Sequence, residues 1–275
     1  MIEFTCNRRH YSDQTPIITD LEIQDYAEML LQDYKPRLLK EPGKVNAFHF
    51  AESYLGATLD YQDIYYNEGE SPVAGATVFN DDRILVFDRE KLCVRPIDVE
   101  ANTILIDNST MAEGKEAFAT FTVLHEGGHF CMHPAVYRRL DGQLDFLDLM
   151  GNSEPGAHTV QCRRSVIEGK VRLTTQLDFR EHQANTFAAA VAMPRPTFIP
   201  YAQSLIRKCG FKKGVWVEPD CYDWDSSIGL SCVVDKLADT FGVSRSAARV
   251  QMKRQGLLMS EDEYAQANCQ LVVAF

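Results

Sequence analysis

The sequence predicts an α+β fold. Three observations carry this expectation: apolar residues at helical spacing near the N-terminus, short β-rich runs between Tyr61 and Asp107, and helical spacing again from Ala112. The chain has 275 residues, 45% of them hydrophobic and 24% charged, enough to bury the core of one large or two smaller domains.

From Asp20, the residues Ile23, Tyr26, Ala27, Leu30, Leu31 and Tyr34 form the stripe of an amphipathic helix, which Thr19 or Asp20 can cap and Pro36 stops. A second helix is expected over Val45 to Leu55, with Gly56 as its stop. The runs Val73 to Phe79, Ile84 to Phe87 and Asn102 to Asp107 predict a small twisted sheet, with Asn80-Asp81-Asp82-Arg83 as a hairpin connection. The last of these runs is expected at an edge, where it could pair with an extended peptide.

Helical spacing then runs from Ala112 to His133, ahead of Pro134. Residues 135–175 are broken by Gly142, Gly151, Pro155, Gly156 and Gly169, and read as an insertion with little regular structure. A helix is expected from Asp178 to Met193, closed by Pro194 and Pro196, and a helical pair from Ser231 to Leu258. The expected division is residues 1–200, including the insertion, and 201–275, a C-terminal helical module.

With 28 Lys+Arg against 39 Asp+Glu, the formal charge of −11 argues against a general nucleic-acid coat. The longest apolar runs, Phe187 to Met193 and Leu271 to Phe275, fall far short of the roughly 20 residues that cross a bilayer. The N-terminus places its basic residues late and has no apolar stretch behind them, so no secretory signal is read and a cytoplasmic location is expected. Eight cysteines without a C-x-x-C pair read as free thiols of a reducing compartment.

The informative motif is His125-Glu126-Gly127-Gly128-His129. Residues four apart share a helical face, so both imidazoles can converge on one zinc ion, while Glu126 is rotated away from the ligands and can serve as general base towards a water there. Gly127 and Gly128 each cost about 1 kcal/mol of helix propensity, which points to a close approach. His133, two turns on, cannot join the same ion from a straight helix and reads as a residue behind the ligands or at the helix end.

A catalytic zinc needs a third protein ligand. Glu181 is the candidate, with Asn185 one turn on to hydrogen-bond a ligand, and Ala184, Ala188 and Ala189 small enough for close packing. Spacing alone leaves open the competing reading, in which Asp178 and Glu181 form a capping box. His182, Tyr201 and Tyr222 stand as alternatives for an oxyanion partner.

The segment from about Asn102 to Pro196 resembles the ImmA/IrrE family of metallo-endopeptidases. The resemblance rests on Phe121-Thr122 before the H-E-x-x-H motif, His133-Pro134 after it, and Glu181-x-x-Ala184-Asn185-x-Phe187-Ala188-Ala189 running into Met193-Pro194. It implies a zincin-like (gluzincin-like) core with an active-site helix behind a small sheet. It also implies zinc held by His125, His129 and Glu181, with Glu126 as base. The substrate class implied is a cytoplasmic helix-turn-helix repressor. The 51 residues between His129 and Glu181 are long for such a core.

Ala238-x-x-x-Gly242-Val243-Ser244 has helix-turn-helix spacing, and Arg245, Arg249, Lys253 and Arg254 follow with no acidic residue between Val243 and Leu258. These cations could contact DNA, or the pair could pack on the protein with its basic face holding acidic groups. The sequence therefore reads first as a zinc endopeptidase. The alternative is a DNA-binding or repressor-binding regulator with a structural or vestigial zinc site.

Overall fold

The computed structural model describes residues 1–6, 10–138, 159–163, 173–219 and 224–273. The fold is mixed α/β and divides into two compact units, Met1–Tyr34 with Asn46–Val191, and Lys35–Val45 with Ala192–Phe275.

In the first unit, α1 (Asp20–Tyr34) opens on a reciprocal cap. The Thr19 amide donates to Glu22 Oε2 at 2.9 Å and the Glu22 amide to Thr19 Oγ1 at 3.3 Å. Its apolar stripe buries Ile23, Ala27, Leu30 and Leu31 completely. The expected second helix is shorter and irregular: α2 (Ala47–His49) passes into a π-helical turn, Phe50–Leu55, and ends on Gly56 at φ 77°.

Next come β1 (Thr58–Gln62), β2 (Val73–Val78), β3 (Asp82–Asp88), β4 (Cys93–Val99) and β5 (Thr103–Asp107). They are followed by α3 (Glu116–Met132), α4 (Pro134–Tyr137), β6 (Thr159–Arg163) and α5 (Gln176–Ala192). The main sheet has the order β1-β5-β2-β6, with β1 parallel to β5 and the other pairings antiparallel.

Two expectations are corrected by this order. Residues 80–83 do not close a hairpin between the first two β-rich runs, because β3 pairs with β4 in a separate two-stranded sheet. The run 102–107 is not an edge, because β5 is flanked by β1 and β2, and the ladder satisfies its backbone on both sides. The free side of β2 is covered by β6, which arises within the segment 135–175 that the sequence reads as an insertion. Of that segment, 139–158 and 164–172 lie outside the described residues.

All six residues of β2 are buried. Ala76 and Val78 join Ile64, Ile84, Val99 and Leu105 in one apolar cluster, while Gly75 and Thr77 turn to α3. A register shift between Val73 and Gly75 interrupts the β2–β6 ladder at this point.

The second unit contains α6 (Arg195–Lys208), β7 (Trp216–Glu218), α7 (Trp224–Phe241), α8 (Arg245–Arg254), β8 (Leu258–Ser260) and α9 (Glu261–Val273). The expected boundary at residue 200 falls inside α6. Pro194 and Pro196 open that helix rather than merely closing the previous one, since a first-turn proline lacks only an N–H that has no helical partner. Phe198, Phe241, Leu237, Ala248 and Met252 are buried, with the rings of Phe198 and Phe241 5.4 Å apart.

Between α7 and α8, Gly242 takes φ 69° and Ser244 accepts from the Ala247 amide at 3.1 Å. The basic residues of α8 face acids: Arg245 lies 2.5 Å from Asp235, Arg249 contacts Glu218, and Lys253 reaches the same Glu218 at 3.8 Å. Among the described residues, no helix is long and apolar enough to cross a membrane.

Candidate metal centre

The H-E-x-x-H residues occupy the buried half of α3, and Glu181 lies on the first turns of α5. The approach of these helices depends on Gly128, where a Cβ would lie 3.1 Å from Ala184 Cα and 3.2 Å from Phe187 Cδ1. Gly127 has a milder constraint, its virtual Cβ meeting only Leu55 Cδ1 at 3.1 Å.

Three donor groups meet. His125 Nε2 and His129 Nε2 are 3.1 Å apart, and the Glu181 carboxylate lies 3.2 Å from the first and 3.5 Å from the second. A tetrahedral zinc with bonds of about 2.0–2.1 Å requires ligand atoms roughly 3.3–3.4 Å apart. His125, His129 and His133 are fully buried and Glu181 is 5% exposed.

The hydrogen bonds behind the imidazoles determine which nitrogens are free. Gln183 Nε2 donates to the Pro16 carbonyl at 2.7 Å, which turns Gln183 Oε1 towards His133 Nε2 at 2.8 Å. His133 therefore carries its proton on Nε2 and accepts at Nδ1 from His129 Nδ1, 3.0 Å away. His129 Nε2 is left with a lone pair. On the other ligand, His125 Nδ1 faces Asn185 Oδ1 at 3.0 Å, so its Nε2 is likewise free.

Two lone pairs and a carboxylate thus face one another in a buried pocket, and Glu181 Oε2 has no hydrogen-bond partner among the described residues. Such a set of imidazole and carboxylate donors fits a metal ion.

The charge balance agrees. Burial alone would raise the Glu181 carboxyl, but the His129 and His125 imidazoles outweigh it and hold it below the usual range. Burial lowers His129, and lowers His133 further with help from His129. For His125 burial also pulls down, but Glu181 prevails and raises it.

Glu126 is fully buried beside these ligands. Thr77 Oγ1 donates to its Oε2 at 2.7 Å, while Oε1 has no partner among the described residues and points at Gly75, whose virtual Cβ would be 3.0 Å from it. Burial pushes this carboxyl up to about 8, with His125 and Thr77 opposing.

The capping-box reading of Glu181 does not hold. The box at the start of α5 joins Thr175 and Asp178: the Thr175 amide donates to Asp178 Oδ2 at 2.8 Å and the Asp178 amide to Thr175 Oγ1 at 3.1 Å. Of the oxyanion alternatives, His182 Nε2 faces Asp20 at 2.7 Å, Tyr201 bonds Thr240 at 3.2 Å in the second unit, and Tyr222 lies outside the described residues.

Sequence reasoning missed Thr77, Gln183 and Cys162. Buried His125, Cys162 and Glu181 form a group that could hold a metal ion, their donor atoms all within 4.8 Å of one another. Burial, then the charges of Glu181 and Glu126, push the Cys162 thiol well up. Its signal was faint: alternation in Thr159-Val160-Gln161-Cys162-Arg163 with Val160 and Cys162 facing inward. Among known proteins, no family model and no curated sequence matches this chain.

Proposed function

We propose that the protein is a zinc-dependent endopeptidase acting on a cytoplasmic protein, a helix-turn-helix repressor being the substrate that the resemblance implies. The observation that carries this reading is the convergence of His125 Nε2, His129 Nε2 and the Glu181 carboxylate within 3.1–3.5 Å, beside a buried carboxylate that is not a ligand. When bound, zinc supplies a Lewis acid that acidifies a coordinated water and polarises a carbonyl.

The chain's own residues supply the rest. Thr77 fixes one oxygen of Glu126, and a cation beside it would lower the carboxyl that burial raises, so that Oε1 takes a proton from water and returns it to the leaving amine. Glu181 offsets the ion's charge, and Asn185, His133 and Gln183 hold the two rings in the tautomer that presents Nε2.

The experiment is incubation of the zinc-loaded chain with candidate helix-turn-helix repressors, with fragments identified by mass spectrometry. Glu126→Gln is expected to abolish the fragments while keeping stoichiometric zinc, and Glu181→Ala to lose zinc. Undiminished cleavage by Glu126→Gln would remove the general-base role.

A further inference from the structure

β6 lies where an extended substrate would be expected. A peptide recognised by main-chain pairing adds to a sheet edge, and the strand beside Glu126 is β2, through Gly75 and Thr77. The side of β2 away from β5 is occupied by β6, antiparallel, with Gly75 paired to Cys162 and Thr77 to Val160. Directly paired residues share a face of the sheet, so Cys162 projects where Gly75 does, towards the metal ligands. It is fully buried, and its sulfur is grouped with donor atoms of His125 and Glu181 within 4.8 Å. Both ends of the strand are anchored: Thr159 Oγ1 donates to Asp82 at 3.0 Å and Arg163 pairs with Glu70 at 2.8 Å.

We infer that β6 is a strand supplied by the chain itself to its own peptide groove, and that Cys162 Sγ is a fourth ligand to the metal, which closes the centre. The inference rests on the metallopeptidase reading and deepens it. Two imidazoles, a carboxylate and a thiolate complete a tetrahedral zinc, the saturated arrangement of a structural site, whereas three protein ligands leave a position for water. The sulfur donates to the Arg163 carbonyl at 3.7 Å and is grouped with the Glu181 carboxylate, whose Oε2 has no hydrogen-bond partner among the described residues. Ligation exchanges the thiol proton for the metal, and that proton leaves to solvent. A peptide can then reach the metal only after β6 yields its place beside β2 and the sulfur is displaced.

The test is zinc-edge X-ray absorption on the full-length zinc-loaded chain. One sulfur at about 2.3 Å is expected beside nitrogen and oxygen at about 2.0–2.1 Å, with loss of the sulfur in Cys162→Ser. In cobalt-loaded protein, the thiolate-to-cobalt charge-transfer band should be present and should vanish in the same variant. If the variant fails to fold, alkylation of the native chain identifies the sulfur: Cys162 must label more slowly with zinc than after chelation. A stoichiometric zinc shell of nitrogen and oxygen alone overturns the inference and leaves the metal-centre reading intact. A sulfur that persists in Cys162→Ser overturns the assignment. A chain that takes up no stoichiometric zinc overturns both readings.

Discussion

Gln183 touches no ligand of the candidate metal, yet it determines which nitrogen of His129 is free, through His133. Replacing it with leucine leaves both tautomers of His133 available, and zinc affinity should fall about 10- to 100-fold in competition with a chelator. Unchanged affinity would mean that the relay does not orient the ligand. Gly128→Ala tests the helix approach. Its Cβ would strike the Ala184 backbone, so a loss of about 1–3 kcal/mol is expected from the urea midpoint, although alanine favours the helix by about 1 kcal/mol. Gly127→Ala should cost less, because Leu55 Cδ1 is the end of a flexible side chain. The need for both glycines was legible in the sequence as an anomaly of helix propensity. The identity of the neighbours was not, since Ala184 and Phe187 lie more than fifty residues away.

At the level of elements, α5 shows how a spacing argument can be half right. Asp178 does cap the helix, but with Thr175, which frees Glu181 for the pocket. Backbone amides of Thr175 and Thr174 lower the Asp178 carboxyl to about 2 from an ordinary 3.8. A depressed carboxyl contributes stability above its unfolded value and loses it as pH falls through the folded one. The melting-temperature difference between the native chain and Asp178→Asn should therefore be full near pH 6 and shrink from about pH 4 towards pH 2. A difference that stays constant over that window would show that the carboxylate charge is irrelevant to the cap. Strands were harder to read than helices. β4 carries Pro96 and mostly exposed residues, so only its ladder with β3 makes it a strand. β6 is a five-residue edge strand in glycine-rich surroundings, and its partner lies over eighty residues earlier.

Over the whole molecule, the net charge of −11 and the ion pairs of α8 act in the same direction. Arg249 and Lys253 share Glu218, and Arg245 faces Asp235, so the basic run neutralises local acids. In fluorescence anisotropy the chain should show no salt-sensitive affinity for duplex DNA, and Arg249→Ala should change nothing. A steep salt dependence weakened by that substitution would restore the DNA-binding alternative. The order helices, sheet, helices was readable from periodicity, because each element carries its own pattern. Strand order and the interleaving of the two units were not, because both are set by partners distant in sequence.

That interleaving also bears on synthesis. Lys35–Val45 belongs with Ala192–Phe275, although the chain returns to the first unit between them. At about 5–20 residues per second, roughly 7–30 s separate the emergence of that short segment from the first of its partners. A nascent chain halted at Val191 would hold all of the candidate metal ligands while residues 35–45 still waited for theirs. Because every candidate ligand precedes Ala192, metal uptake would require no residue of the second unit as a ligand.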